Sequence, residues 1–169
     1  RPRLSVLLNI TEDHLDRYTS YDEYIEAKGR IFINQNSGDV AILNGDDPIV
    51  MGLREKVKAK KIFFSLRKKL DEGAFSNGQK ITLRLGAKEE NYSLAETPLK
   101  GIHNVENMMA ALTAARVYGC SKKAIQAALN RFQGLEHRLE FVREIEGVRF
   151  YNDSKGTNVG SVVKSLQSF

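Results

Sequence analysis

Apolar positions along the chain change their period several times, and each change marks a different kind of element. Residues 4–9 form a short apolar run bounded by Pro2 and by the polar Thr11-Glu12-Asp13, the pattern of a buried strand. Beyond it Tyr24, Ala27 and Ile31 recur at helical spacing. Ser20 is a good N-cap and Glu23, three residues on, completes a capping box, so the pattern predicts a helix over residues 21–34. After Gly38, residues 40–43 return as a strand. Asn44-Gly45-Asp46-Asp47-Pro48 is a turn whose proline can open the next helix, and residues 61–65 are a third apolar run. This strand–helix–strand–helix–strand rhythm argues for a parallel sheet with helical crossovers.

From Gly73 the period drops to two. Phe75, Ile81, Leu83, Leu85, Tyr92 and Leu94 alternate with polar residues around the tight turn Ser76-Asn77-Gly78, which predicts an antiparallel meander with one exposed face. Pro98 and Gly101 precede a strong helical pattern over residues 104–118, with Val105, Met108, Met109, Leu112 and Ala115 on its apolar face and Asn104 as a capable N-cap. Ser121 caps a further helix to about residue 132. Gln133-Gly134-Leu135-Glu136 then leads into a hairpin of residues 139–145 and 148–151 around Gly147, followed by the polar loop 152–157. Asn158 could cap a last helix that runs to the end. The expected fold is α/β: a mainly parallel sheet with a small antiparallel meander. Residues 1–134 form one domain, and residues 135–169 begin another that stops before it can build a core.

Composition narrows the class. Hydrophobic residues make up 41% and charged residues 28%, which suits a folded chain and not a disordered one. The longest apolar stretches are too short to span a bilayer and nothing reads as a signal peptide, although residue 1 is Arg and not Met. Cys120 is the sole cysteine, so no disulfide or cysteine zinc site can form within the chain, and it reads as a small apolar filler. A reducing, cytoplasmic setting is expected. The net charge of +5 suits anion binding without naming the anion. Basic residues cluster at Lys56, Lys58, Lys60 and Lys61, and again at Arg67, Lys68 and Lys69. Phe63 and Phe64 between them lie in a strand-like run facing a core, so these clusters read as solvated surface and not as a nucleic-acid site.

Five places carry candidate chemistry. Residues 9–17 directly follow a strand, where open α/β sheets bind ligands, and His14 with Glu12, Asp13 and Asp16 could serve a metal or simply form a capped helical turn. Lys28 is either a surface lysine or, if buried, a nucleophilic amine. Asn104 and Asn107 lie one turn apart at a helix start, where two amides could read the edge of a base. Arg138, after His137, could meet a phosphate with two prongs or form a surface ion pair. The loop 152–158 combines Asp153, Lys155, Gly156 and Thr157 between a strand and a helix start that welcomes an anion.

Taken in order, Leu-Asn-Ile-Thr-Glu-Asp-His-Leu-Asp-Arg (8–17), Ala27-Lys28, Gly-Ile-His-Asn-Val-Glu-Asn (101–107), His137-Arg138 and Asn-Asp-Ser-Lys-Gly-Thr-Asn (152–158) resemble the motif series of the Mur ligase family over essentially the whole chain. The loop 153–158 resembles the D-glutamate-adding branch in particular, and the sister ligases and folylpolyglutamate synthase differ most there. The resemblance implies a central ATPase domain followed by the start of a Rossmann-like C-terminal domain. It also implies an ATP-dependent, magnesium-dependent amide ligase of bacterial peptidoglycan precursors, cytoplasmic, with UDP-N-acetylmuramoyl-L-alanine and D-glutamate as substrates and with neither nucleic acid nor membrane as a partner. It implies His14 and a carbamylated Lys28 as metal ligands, Asn104 and Asn107 beside the adenine, Arg138 at the terminal phosphate and Asp153 at the ribose. Lys155 and Thr157 would face the reaction centre and the incoming amino acid. No Gly-x-x-Gly-Lys-Thr type phosphate loop occurs in the chain. The resemblance places that loop, a glutamate metal ligand and a uridine-nucleotide domain before residue 1, so the parent protein is expected to be the enzyme and this piece to be inactive alone. The rival expectations are another amide ligase of the superfamily, such as folylpolyglutamate synthase, and a basic nucleic-acid-binding module.

Overall fold

The computed structural model describes residues 1–12, 17–99, 101–157 and 159–166, with Lys164 described by its backbone only. A six-stranded sheet runs β1 (Leu4–Leu7), β2 (Val40–Asn44), β3 (Lys60–Ser65), β4 (Gly73–Ser76), β5 (Lys80–Leu85) and β6 (Lys88–Ser93), each strand bonded to the next. The first four strands are parallel and the last three form an antiparallel meander, as the change of hydrophobic period requires. The mixed α/β class expected from the sequence is the class observed.

Helices on both faces explain the burial pattern. Along β2, Ala41, Ile42 and Leu43 are all fully buried, but they face opposite ways. Ile42 joins Ile62, Phe64 and Leu83 beneath α3 (Ile102–Val117) and α4 (Lys122–Arg131), where Met109 and Leu112 fill the layer. Ala41 and Leu43 pack with Leu7, Tyr24, Phe32 and Val50 beneath α1 (Tyr21–Gly29) and α2 (Pro48–Leu53). Parallel strands covered on both faces are near-continuously apolar for this reason. At the meander Glu90 accepts from the Tyr92 hydroxyl at 2.6 Å and from Arg116 of α3 at 2.7 and 2.8 Å, which ties β6 to the helix layer.

The structure corrects several details. The first helix ends at Gly29, and a 3-10 turn over Arg30–Phe32 brings Phe32 inward while Ile33 stays 68% exposed. Ser20 caps it as expected, but the Glu23 carboxylate reaches the N–H and hydroxyl of Thr19, not the Ser20 N–H of a strict capping box. The cap of α3 is Gly101, whose φ of 94° suits glycine, so Asn104 lies inside the first turn and donates its own N–H to the Gly101 carbonyl. Cys120 is exposed, past the helix end, and not a core filler. Phe64 is fully buried and Phe63 packs against the α1 side, as expected.

After α4 the chain forms a separate two-stranded sheet, β7 (Glu140–Ile145) with β8 (Val148–Asn152), and then α5 (Val159–Leu166). Asn158, expected to cap α5, lies outside the described residues. No described helix is long and apolar enough to cross a membrane.

Candidate functional site

The carboxyl end of β1, the outer face of α1, the first turn of α3 and the C-terminal hairpin and helix enclose a cleft of about 540 Å³. Leu7, Leu8 and Asn9 form its floor at the sheet edge, the position where parallel α/β sheets hold ligands. Its polar lining comes from distant stretches of sequence: Asn9 and Thr11; Lys28; His103, Glu106 and Asn107; Arg138; Asp153 and Lys155; and Ser161 and Ser165. Lys28, Arg138 and Lys155 outnumber the carboxylates of Glu106 and Asp153 by one, and with the N–H groups of a helix start beside them they suit a ligand that carries negative charge.

Each side chain is placed by local structure. At the strand exit, Ile10 is held at both backbone groups: Asp47 accepts from its N–H at 3.3 Å, and the Tyr21 hydroxyl donates to its carbonyl at 3.0 Å. Asp47 also caps α2 by accepting from Ile49 and Val50. Burial, helped by Glu12, Asp47 and Tyr24, raises the Tyr21 pKa, so the hydroxyl keeps its proton and its role as donor. Lys28 is exposed, with its Nζ 5.1 Å from the centre of the Tyr24 ring, a cation–π arrangement. Tyr24 itself sits between Tyr18 and Tyr21, stacked on the latter.

On the opposite wall, His137 and Leu139 adopt left-handed φ values of 65° and 47°, flanking Arg138. Lys155 donates its N–H to the His137 carbonyl at 3.0 Å, and the Asp153 carboxylate accepts from the Leu139 N–H at 3.1 Å. The two loops that carry Arg138, Asp153 and Lys155 are therefore laced together.

Of the residues singled out from sequence, Lys28, Asn107, Arg138, Asp153 and Lys155 line this cleft, whereas Asn104 and Thr157 are not among its lining residues. His14, Asp13 and Asp16 lie outside the described residues. Sequence reading missed Tyr24, Gly160, Ser161 and Ser165, which also line the cleft. Their only signal was the four-residue spacing of Ser161 and Ser165, one helical turn apart. Among the described residues no group of three or more His, Cys, Asp or Glu side chains converges as a metal cage. Magnesium is seldom held in such a cage, since it relies on one or two protein ligands with waters and phosphate oxygens, so the donor chemistry of this cleft remains compatible with it.

A sheet with parallel strands, helices on both faces and a polar cleft at the strand ends defines an open α/β domain with a ligand-sized cleft, and its sequence places it further. Residues 1–115 match the Mur ligase middle domain, and the chain belongs to that family. Among curated relatives, the UDP-N-acetylmuramoylalanine–D-glutamate ligase of Geotalea uraniireducens is 54% identical over all 169 residues, and that of Geobacter metallireducens is 53% identical. In both cases the match covers 37% of the relative, so the chain spans little more than a third of their length. Among solved structures, a MurF from Acinetobacter baumannii superposes with a TM-score of 0.77 at 25% identity, over 96% of this chain and 36% of that one. A pseudomurein peptide ligase type C from Methanothermus fervidus shares the fold with a TM-score of 0.75 at 22% identity, over 99% of this chain and 41% of that one.

Proposed function

We propose that this chain is the nucleotide-holding part of an ATP-dependent ligase that joins D-glutamate to UDP-N-acetylmuramoyl-L-alanine in peptidoglycan precursor synthesis. The observation that carries the reading is the convergence of Lys28, Asn107, Arg138, Asp153 and Lys155, from four separate motifs, on one cleft. The names of the relatives at 53–54% identity supply the two substrates to be joined. In this reading residues 1–134 are the central ATP-binding domain and residues 135–169 open the domain that receives the amino acid.

The chemistry follows from these parts. The terminal phosphoryl group of ATP passes to the substrate carboxylate, ADP departs, and the activated carbonyl accepts the amine of D-glutamate. Phosphate then leaves as the C–O bond breaks, and the nitrogen loses a proton. Positioning and charge neutralisation do most of the work in such a transfer. Asn104 and Asn107 serve the adenine side, Arg138 the terminal phosphate and Asp153 the ribose, while Lys155 and Thr157 face the acyl group and incoming amino acid. Magnesium would be held by His14 and by Lys28 carrying a carbamate, and it would neutralise phosphate charge. Carbamate formation requires the neutral amine, so Lys28, exposed here against the Tyr24 ring, must leave that ring and shed a proton.

The decisive test is D-glutamate-dependent phosphate release by the full-length protein. Lys155→Ala should lower that rate by a factor on the order of 10² or more without changing the thermal midpoint. A near-normal rate, or equal turnover with other amino acids, would remove the assignment. Lys28→Ala should likewise be inactive and regain activity with short carboxylic acids, which restore the lost negative charge; full activity without them would eliminate the carbamate. This chain alone, lacking a glycine-rich phosphate loop, should bind ATP weakly or undetectably by calorimetry.

A further inference from the structure

We infer that Ser165 is a positioning residue: acting through the Asp153 carboxylate, it fixes the direction in which Arg138 enters the cleft. The inference rests on the reading of Arg138 as the phosphate contact, and it adds a residue that neither the motifs nor the relatives' names point to.

Asp153 stands at the centre of three segments. Its Oδ2 accepts from the Ser165 hydroxyl at 2.5 Å, and its Oδ1 accepts from the Leu139 N–H at 3.1 Å. Its backbone carbonyl accepts from Gly156 at 2.8 Å, closing the loop that follows β8. A carboxylate held at both oxygens cannot rotate, so the Ser165 bond decides where Oδ1 points and hence where Leu139 is pinned. Pinning matters because the backbone there is costly. Both neighbours of Arg138 are non-glycine residues in the left-handed region, with φ 65° at His137 and 47° at Leu139. Such conformations persist only where surrounding contacts over-determine them. On the His137 side those contacts are its N–H to Glu140 at 2.8 Å, its carbonyl from Lys155 at 3.0 Å, and its ring Nδ1 with the Asn152 amide at 2.8 Å. On the Leu139 side the contact is Asp153, and behind Asp153 stands Ser165. Each Asp153 oxygen keeps a second lone pair, so the same carboxylate can still meet a ligand hydroxyl.

A hydroxyl that merely docked α5 would affect turnover equally whatever stands at position 138. One that acts through Arg138 will not, and a double-mutant cycle separates the two. In the full-length protein, Ser165→Ala should lower kcat by roughly 10-fold, since small misplacements of a positioned group cost 10- to 100-fold. Ser165→Thr, which retains the hydroxyl, should recover most of it. In an Arg138→Ala background the same Ser165→Ala change should alter kcat less than about two-fold, the non-additivity expected of one pathway. The affinity for the β,γ-imido analogue of ATP, measured by calorimetry, should show the same pattern. Equal losses in both backgrounds, or no loss in the wild-type background, would overturn the inference. If the wild-type protein fails to consume D-glutamate, the functional reading falls instead, and the cycle is decided on the affinity for the analogue alone.

Discussion

The six-stranded sheet and the terminal hairpin both carry strand-forming apolar and aromatic residues, yet they end in opposite states of burial. In the sheet, Ala41, Ile42, Leu43, Phe64, Ile81 and Tyr92 have no exposed surface. In the hairpin and the helix after it, Phe141 is 54% exposed, Phe150 47% and Val159 81%. Strand-forming side chains and a ladder, here interrupted by an irregularity between Phe141 and Arg143, are thus enough to draw a hairpin, but the core of the sheet comes from the helices on its faces. The hairpin keeps one ring contact, Phe141 against Tyr151 at 5.6 Å, and an exposed Arg149–Glu144 pair at 3.1 Å. The cleft lies between these two regions. The packed one supplies Lys28 and Asn107, and the loosely packed one supplies Arg138, Asp153 and Lys155.

The sharpest way to break this contrast is to truncate one aromatic in each region. Phe64→Ala should cost about 3–5 kcal/mol in denaturant unfolding, because it empties a filled position in the core. Phe150→Ala, half-exposed in this 169-residue chain, should there cost less than about 1 kcal/mol. Equal losses would show that the hairpin is as firmly packed as the sheet.

A smaller effect distinguishes the ion pairs. Arg116 and the Tyr92 hydroxyl hold the Glu90 pKa below the ordinary glutamate value. A carboxylate whose pKa is lower in the folded state stabilises the fold above its unfolded pKa, and that contribution disappears as pH falls through the folded value. The thermal midpoint should therefore drop on acidification below the usual carboxylate range, and Glu90→Gln should lower the neutral-pH midpoint while flattening the acid limb. An acid limb unchanged by Glu90→Gln would place the sensitivity elsewhere. Arg149→Ala, which removes an exposed hairpin pair, should leave stability nearly unchanged.

Most of the architecture was legible because hydrophobic period reports burial directly. β2 is continuous in apolar residues since both its faces are covered, while along β5 Ile81, Leu83 and Leu85 alternate with polar residues. What sequence did not reveal depended on backbone torsion or on distant partners. The role of Asn104 turned on the positive φ of Gly101, which leaves no periodic trace. Cys120 read as a filler because small apolar residues usually are, but its position beyond a helix end left it exposed. Ser165 and Tyr24 came to the cleft through folding, and no local motif announces that. Of the two basic clusters, Lys56, Lys58, Lys60, Arg67, Lys68 and Lys69 are exposed and Lys61 is half-buried, with Lys56 3.9 Å from Glu26 and Lys60 3.1 Å from Glu72. They fit the solvated surface expected of them.

The central claim is that one nucleotide bridges the packed and the loosely packed regions. Hydrogen exchange of the full-length protein with and without magnesium and the β,γ-imido analogue of ATP tests it most directly. The account predicts slowed exchange in two separate segments: the first turns of α3 around Asn107, and the loops around Arg138 and Lys155. Slowing confined to one of the two segments, or absent from both, would contradict it.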